Sequence, residues 1–135
     1  LDVGCGSGIL SVAALLLGAK SAVGVDIDPL AVKTAGQNAA RNRVEDRFTA
    51  VCGSLTDRVS GTFGLIAANI VADVILELLQ GIGAFMAPGA VLLLSGIIDE
   101  REKDVLAGLA GGFEVIGRRE ENGWIALAVR KAGKE

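Results

Sequence analysis

Leu1-Asp2-Val3-Gly4-Cys5-Gly6-Ser7-Gly8-Ile9-Leu10 opens the chain, and Val23-Gly24-Val25-Asp26-Ile27-Asp28-Pro29 follows it; these two stretches decide the fold. In the first, the end of an apolar strand runs into glycines at alternate positions and then into an apolar helical run. Such a turn leaves bare backbone where a ligand can approach. The helix beyond points its N-terminus at that ligand and favours a negative group there. In the second stretch an apolar strand ends on an acid, eighteen residues after Gly8.

Outward from this pair, short β runs alternate with helical stretches. Strands are predicted at residues 1–3, 22–27, 48–52, 63–69, 90–95, 113–119 and 124–130. Helices are predicted at 9–17, 29–42, 72–86 and up to 109 after Asp99. Ser7, Asp28 and Asp99 are the expected N-caps. Gly18 and Pro88-Gly89 are expected to end their helices. Residues 63–69 are apolar throughout, as a strand covered on both faces should be. Asn122-Gly123 signals a hairpin turn, so the last two strands should be antiparallel. The expected fold is therefore α/β: a mostly parallel seven-stranded sheet with helices on both faces and a C-terminal antiparallel hairpin. Residues 131–135 are expected to fray. A parallel strand normally has several more apolar residues than precede Asp2, so the sequence is expected to begin partway through its first strand.

The totals narrow the function. The 135 residues suit one domain, expected over 1–135, and 51% are hydrophobic, which argues for a packed core. A net charge of −3 argues against a broad basic surface, so no direct nucleic-acid binding is expected. The apolar runs are too short to span a membrane. There is no histidine, and Cys5 and Cys52 are far apart, so no metal is expected and Ser-His-Asp or Cys-His catalysis is excluded. Two sparse cysteines suit a reducing, cytoplasmic location.

The ligand follows from spacing. A dinucleotide fingerprint reads G-x-G-x-x-G. Here the third glycine comes one position early, at Gly8, and Ile9 stands where the fingerprint wants glycine. That favours S-adenosylmethionine over NAD, because its amino-acid end presents a carboxylate and an ammonium rather than a pyrophosphate. Asp26 is placed to accept hydrogen bonds from the ribose hydroxyls. Asp28 competes for that role but precedes Pro29 and is better explained as a helix cap.

Residues 1–8 resemble motif I of the class I methyltransferases. Three stretches resemble, more narrowly, the methyltransferase family that modifies large-subunit ribosomal protein eleven: residues 4–10, residues 24–29 with their trailing helix, and Ala68-Asn69-Ile70-Val71-Ala72. Leu94-Ser95-Gly96-Ile97 and Gly123-Trp124-Ile125-Ala126-Leu127 extend the resemblance over essentially the whole chain. Val71 departs from the commoner leucine. The family's amino-terminal substrate-recognition domain, its linker and a cofactor segment before motif I would lie ahead of Leu1.

The resemblance implies a Rossmann-like class I methyltransferase domain with S-adenosyl-L-methionine as cofactor. It implies cofactor contacts by Asp2, Gly4, Gly6, Gly8, Asp26 and Asn69, with Gly4 at the methionine end and Asn69 facing the transferable methyl and the incoming amine. The implied reaction is methyl transfer to lysine or terminal amines of a ribosomal protein. Another acceptor, or a non-catalytic cofactor-binding domain, remains open; a nicotinamide oxidoreductase is more distant. Outside the motifs, Ser54 is expected near the adenine. Trp124 is expected in the core rather than lining a substrate pocket. Cys5 should be a small side chain packed beneath the loop. Arg41, Arg43, Arg47, Arg118 and Arg119 are expected to be solvated.

Overall fold

The computed structural model describes residues 1–133. Its seven strands form one mixed sheet in the order β3-β2-β1-β4-β5-β7-β6. Two compact units divide the chain at Val59/Ser60.

In the first unit, β1 (Asp2–Val3) leads through the glycine loop into α1 (Ile9–Leu16). Then come β2 (Ala22–Asp26), α2 (Pro29–Arg41), a 3-10 turn (Glu45–Arg47) and β3 (Phe48–Cys52). β2 pairs in parallel with β1, Val3 opposite Val25, and with β3, Asp26 opposite Cys52. Parallel pairing makes all three strands deliver their carboxyl ends to the same edge. Val12 and Leu15, a turn apart on α1, pack with Ala39 of α2 and Val44, joined by Ala19, Ala22 and Phe48. α2 stops at Arg41, with Asn42 as its C-cap.

Three expectations here are corrected. Ser7 is not a cap: Gly8 is the N-cap residue of α1, in a left-handed conformation, and no side chain of that position bonds the helix. α1 ends at Leu16, one residue early, with Gly18 (φ +113°) beyond it. β2 stops at Asp26, leaving Ile27 71% exposed. Asp28 does cap α2, accepting from the Leu30 amide at 2.9 Å with Pro29 at the first turn.

In the second unit, β4 (Phe63–Asn69) is followed by α3 (Ala72–Leu79), a 3-10 turn (Ile82–Phe85) and β5 (Met86–Ile98). A 3-10 turn (Asp99–Arg101), α4 (Glu102–Leu109), β6 (Phe113–Glu121) and β7 (Trp124–Lys131) complete it. β4 and β5 are parallel, while β7 runs antiparallel to both β5 and β6. Ile75, Leu78, Leu92, Leu94, Ile97, Val105, Ile125 and Leu127 are buried. Asn122 (φ 51°) and Gly123 (φ 81°) both take the left-handed conformation that a two-residue type I′ hairpin requires.

The departures in this unit have local causes. The expected helix over 72–86 ends at Leu79, because Gly81 and Gly83 each cost a helix about 1 kcal/mol. Pro88-Gly89 then falls inside β5 instead of ending a helix. Phe63 pairs with Met86 but Leu65 with Val91, so Pro88 sits in a bulge where no ladder amide is needed. β4 is covered only in its second half, Leu65 being 47% exposed. Asp99 does not cap α4, which starts at Glu102 without a side-chain cap; its amide instead bonds the Gly123 carbonyl at 3.0 Å. Trp124 is not core. Strand alternation puts Ile125 inside and leaves Trp124 55% exposed. Lys131 pairs with Phe113 and the Ala132 amide bonds the Gly112 carbonyl, so fraying does not begin at 131; residues 134–135 lie outside the described residues.

No helix among the described residues is long and apolar enough to cross a membrane.

Candidate functional site

The glycine loop is built by β2. The amides of Gly4 and Cys5 both donate to the Val25 carbonyl, at 2.8 and 2.9 Å. The Gly6 amide donates to Asp26 Oδ2 at 2.9 Å, and the Asp28 amide to Oδ1 at 3.0 Å. Gly4, Gly6 and Gly8 all have positive φ (71°, 53° and 82°), so the loop's path is one that side chains with a Cβ rarely follow. Asp26 is thus not simply solvated: it anchors the loop with one lone pair of each oxygen. A carboxylate offers about four acceptor sites, so it can still accept two hydroxyls. The Gly53 amide donates to the Asp26 carbonyl at 3.0 Å, and the Ser54 amide to Asp57 Oδ1 at 2.9 Å. The loop holding Ser54 is therefore tied to the same strand end.

Asp2 occupies a different place from the exposed Gly4 and the half-buried Gly6; like Gly8, it is buried. It is 5% exposed and accepts from Ser11 Oγ at 2.9 Å. Ser11 is the third residue of α1, so this bond ties the first turn of the helix to the end of β1. Burial raises the pKa of Asp2 above 3.8, opposed by hydrogen bonding with Ser11. Ser11 was missed by sequence reasoning, though a serine among the apolar residues of α1 was a legible sign. Cys5 is buried as expected: its sulfur would lie 3.1 Å from a Cβ placed on Gly24. Burial, then the charges of Asp2 and Asp26, push its thiol up to about 11, so it stays protonated at neutral pH.

In the second unit, Asn69 ends β4 opposite Ser95, exposed as a strand-end residue. Gly96 (φ +80°) follows Ser95 in a bulge where Leu94 pairs with Leu127 but Ile97 with Ile125. A Cβ on Gly96 would come 2.7 Å from Asn69 Oδ1 and 2.9 Å from the Ile70 carbonyl oxygen. The missing side chain at position 96 is what lets the Asn69 carboxamide lie there. The Ile70 amide completes the junction, donating to the Ser95 carbonyl at 3.2 Å.

Three of the arginines expected in solvent are engaged, Arg41 with Asn38 Oδ1 at 3.5 Å. Arg47 donates to the Ala19 carbonyl at 2.8 Å, and Arg118 to Glu102 at 2.6 Å. Among the described residues no group of three or more potential metal ligands is assembled.

A sheet in this order, with a glycine loop after β1 and an acid closing β2, is the class I methyltransferase architecture. The profile of the family described as "Ribosomal protein L11 methyltransferase (PrmA)" matches residues 1–132, and the chain belongs to that family. A relative from Pelotomaculum thermopropionicum, named ribosomal protein L11 methyltransferase, is 48% identical over 96% of this chain and 42% of its own length. The crystal structure of ribosomal protein L11 methylase from Lactobacillus delbrueckii subsp. bulgaricus is 34% identical, with a TM-score of 0.94 over 98% of this chain and 69% of that one. A more distant RNA methyltransferase from Salinibacter ruber, solved with S-adenosyl-L-homocysteine, shares the fold at 20% identity and a TM-score of 0.75, over 94% of this chain and 76% of that one. The chain spans about two-fifths of the length of the curated relatives it matches.

Proposed function

We propose that this domain binds S-adenosyl-L-methionine on the glycine loop and Asp26, and directs its methyl group to an amine nitrogen of ribosomal protein L11. The observation that carries the reading is the Asp26–Gly6 bond, which joins the acid to a loop of three positive-φ glycines. Family membership supports the acceptor. When bound, the cofactor supplies an electrophilic methyl on a sulfonium.

The residues present fit that group. Gly4 and Gly6 leave backbone open to the methionine end, while Gly8, buried against Ala35, turns the chain into α1. The first amides of α1, which have no carbonyl a turn earlier within the helix, favour its carboxylate. Asp26 accepts from the ribose, and the loop holding Ser54 lies beside the adenine. The carboxylates of Asp2 and Asp26 give the loop a negative surround that suits a cationic ligand. Asp2 acts beneath the loop, through α1, rather than by open contact.

Asn69 is the catalytic residue of the proposal. A lysine of ordinary pKa costs about 4.6 kcal/mol to neutralise at pH 7, a cost that an apolar surround lowers. Asn69 Oδ1 accepts a hydrogen bond from the neutral amine and aims its lone pair, while the amide end donates to the cofactor. Charge moves from sulfur to nitrogen without a net change, so positioning is the main lever. A ribosomal-protein acceptor supports a cytoplasmic setting for the reaction.

Titration with S-adenosylhomocysteine and with NAD tests the ligand; binding of NAD alone overturns the reading. Methyl transfer to L11 by the full-length protein tests the activity. At saturating cofactor, Asn69→Ala should cut turnover on the order of 100-fold, far more than Asp26→Ala. Equal losses would remove Asn69 from the chemistry.

A further inference from the structure

α2 carries a contact that neither the glycine motif nor Asp26 accounts for. Asn38 stands 31 residues from Ser7, yet its Nδ2 donates to the Ser7 carbonyl at 2.8 Å. Its Oδ1 accepts from Arg41 Nη1 at 3.5 Å, which turns the nitrogen of the carboxamide toward the loop. One turn earlier, fully buried Ala35 lies under Gly8: a Cβ on Gly8 would meet Ala35 Cβ at 3.0 Å and Cα at 3.1 Å. One face of α2 is therefore seated on the second half of the loop.

The first half of the loop is held by β2 through Gly4, Cys5 and Gly6. The second half has a different anchor. The N–H of the Ser7–Gly8 peptide bonds the Cys5 carbonyl at 2.8 Å, and its C=O bonds Asn38. With both ends of that peptide bonded, its plane is locked. Without Asn38 the carbonyl would lose its partner in a loop whose glycines tolerate a flipped peptide. A flipped carbonyl would point its negative end where a carboxylate is to be received.

We infer that Asn38 is a positioning residue that locks the Ser7–Gly8 peptide so that the loop and the start of α1 receive the amino-acid end of the cofactor. The inference rests on the proposed cofactor and adds a residue from α2 to its site. Its signature is selective. Asn38 supports recognition of the amino-acid end and leaves the nucleoside end, served by Asp26, untouched.

The test compares S-adenosylhomocysteine with methylthioadenosine, which keeps the nucleoside and lacks the amino-acid end. Calorimetry is run on wild type, Asn38→Asp, Asn38→Leu and, as a control at an exposed position of the same helix, Gln37→Ala. Both Asn38 variants should bind S-adenosylhomocysteine about tenfold more weakly, the order expected for one lost hydrogen bond, and methylthioadenosine within about twofold of wild type. Gln37→Ala should change neither. In the full-length enzyme, KM for the cofactor should rise by a similar factor with kcat nearly unchanged. Equal weakening of both ligands, or no weakening in either Asn38 variant, overturns the role of Asn38. A wild type that binds neither ligand overturns the proposed cofactor instead. Circular dichroism separates either result from misfolding, and two chemically different replacements keep the comparison available if one fails to fold.

Discussion

At the scale of single residues, the burial of Asp2 and the bareness of Gly96 carry the sharpest consequences. Asp2 holds its proton more tightly in the fold than in the unfolded chain because burial disfavours its charge. A raised folded-state pKa gives stability that is present below the unfolded value and lost as pH rises through the folded one. Asp2→Asn removes that titration. The melting temperature of the variant minus that of wild type should therefore increase as pH is raised from about 3.5 to 7. A difference that stays flat over that range would show that burial does not dominate at Asp2. Gly96→Ala places a Cβ against Asn69 Oδ1 and the Ile70 carbonyl at a left-handed φ. It should cost about 2 kcal/mol or more in denaturant unfolding, and turnover with it. At this scale the sequence was legible for Asp26, which closes its strand, and for Cys5, which is packed as a small apolar group. It was not legible for Trp124, whose single-residue hydrophobicity pointed inward while the pleat of β7 turned it outward.

At the scale of elements, local chemistry set most boundaries and neighbouring elements set the rest. β3 and β4 fall where their apolar runs end, and α2 starts where Asp28-Pro29 says it should. α3 and β5 depart from expectation because Pro88-Gly89, a strong helix stop when read locally, is absorbed by a bulge in a strand paired on both sides. The same substitution in two helices shows the difference. A Cβ on Gly36 in α2 meets nothing within 4 Å, so Gly36→Ala should stabilise the protein by about 1 kcal/mol through helix propensity. A Cβ on Gly108 in α4 would lie 2.6 Å from Leu76 Cδ2 of α3. Leu76 must move, so Gly108→Ala should fall at least ~1 kcal/mol below Gly36→Ala in urea unfolding. Equal gains at both positions would mean that α3 and α4 yield freely there.

At the scale of the whole molecule, a bound cofactor should raise stability by mass action. S-adenosylhomocysteine at about 100 times its Kd adds roughly 2.7 kcal/mol, a rise in Tm on the order of 10 °C for a chain of this size. NAD at the same concentration should leave Tm unchanged. The succession of strands and helices along the chain, the final hairpin, the glycine loop and the acid that closes β2 are all written in the local sequence. These depend on short-range physics: side-chain periodicity, the need for positive φ, and the turn chemistry of neighbouring residues. Packing of the whole domain was needed for Asp2 to bond Ser11 of α1, for Asn38 to bond the loop, and for Gly96 to make room for Asn69. Each of those contacts joins positions well separated along the chain. Its geometry is set by how strands register and helices pack, which no local pattern of residues encodes.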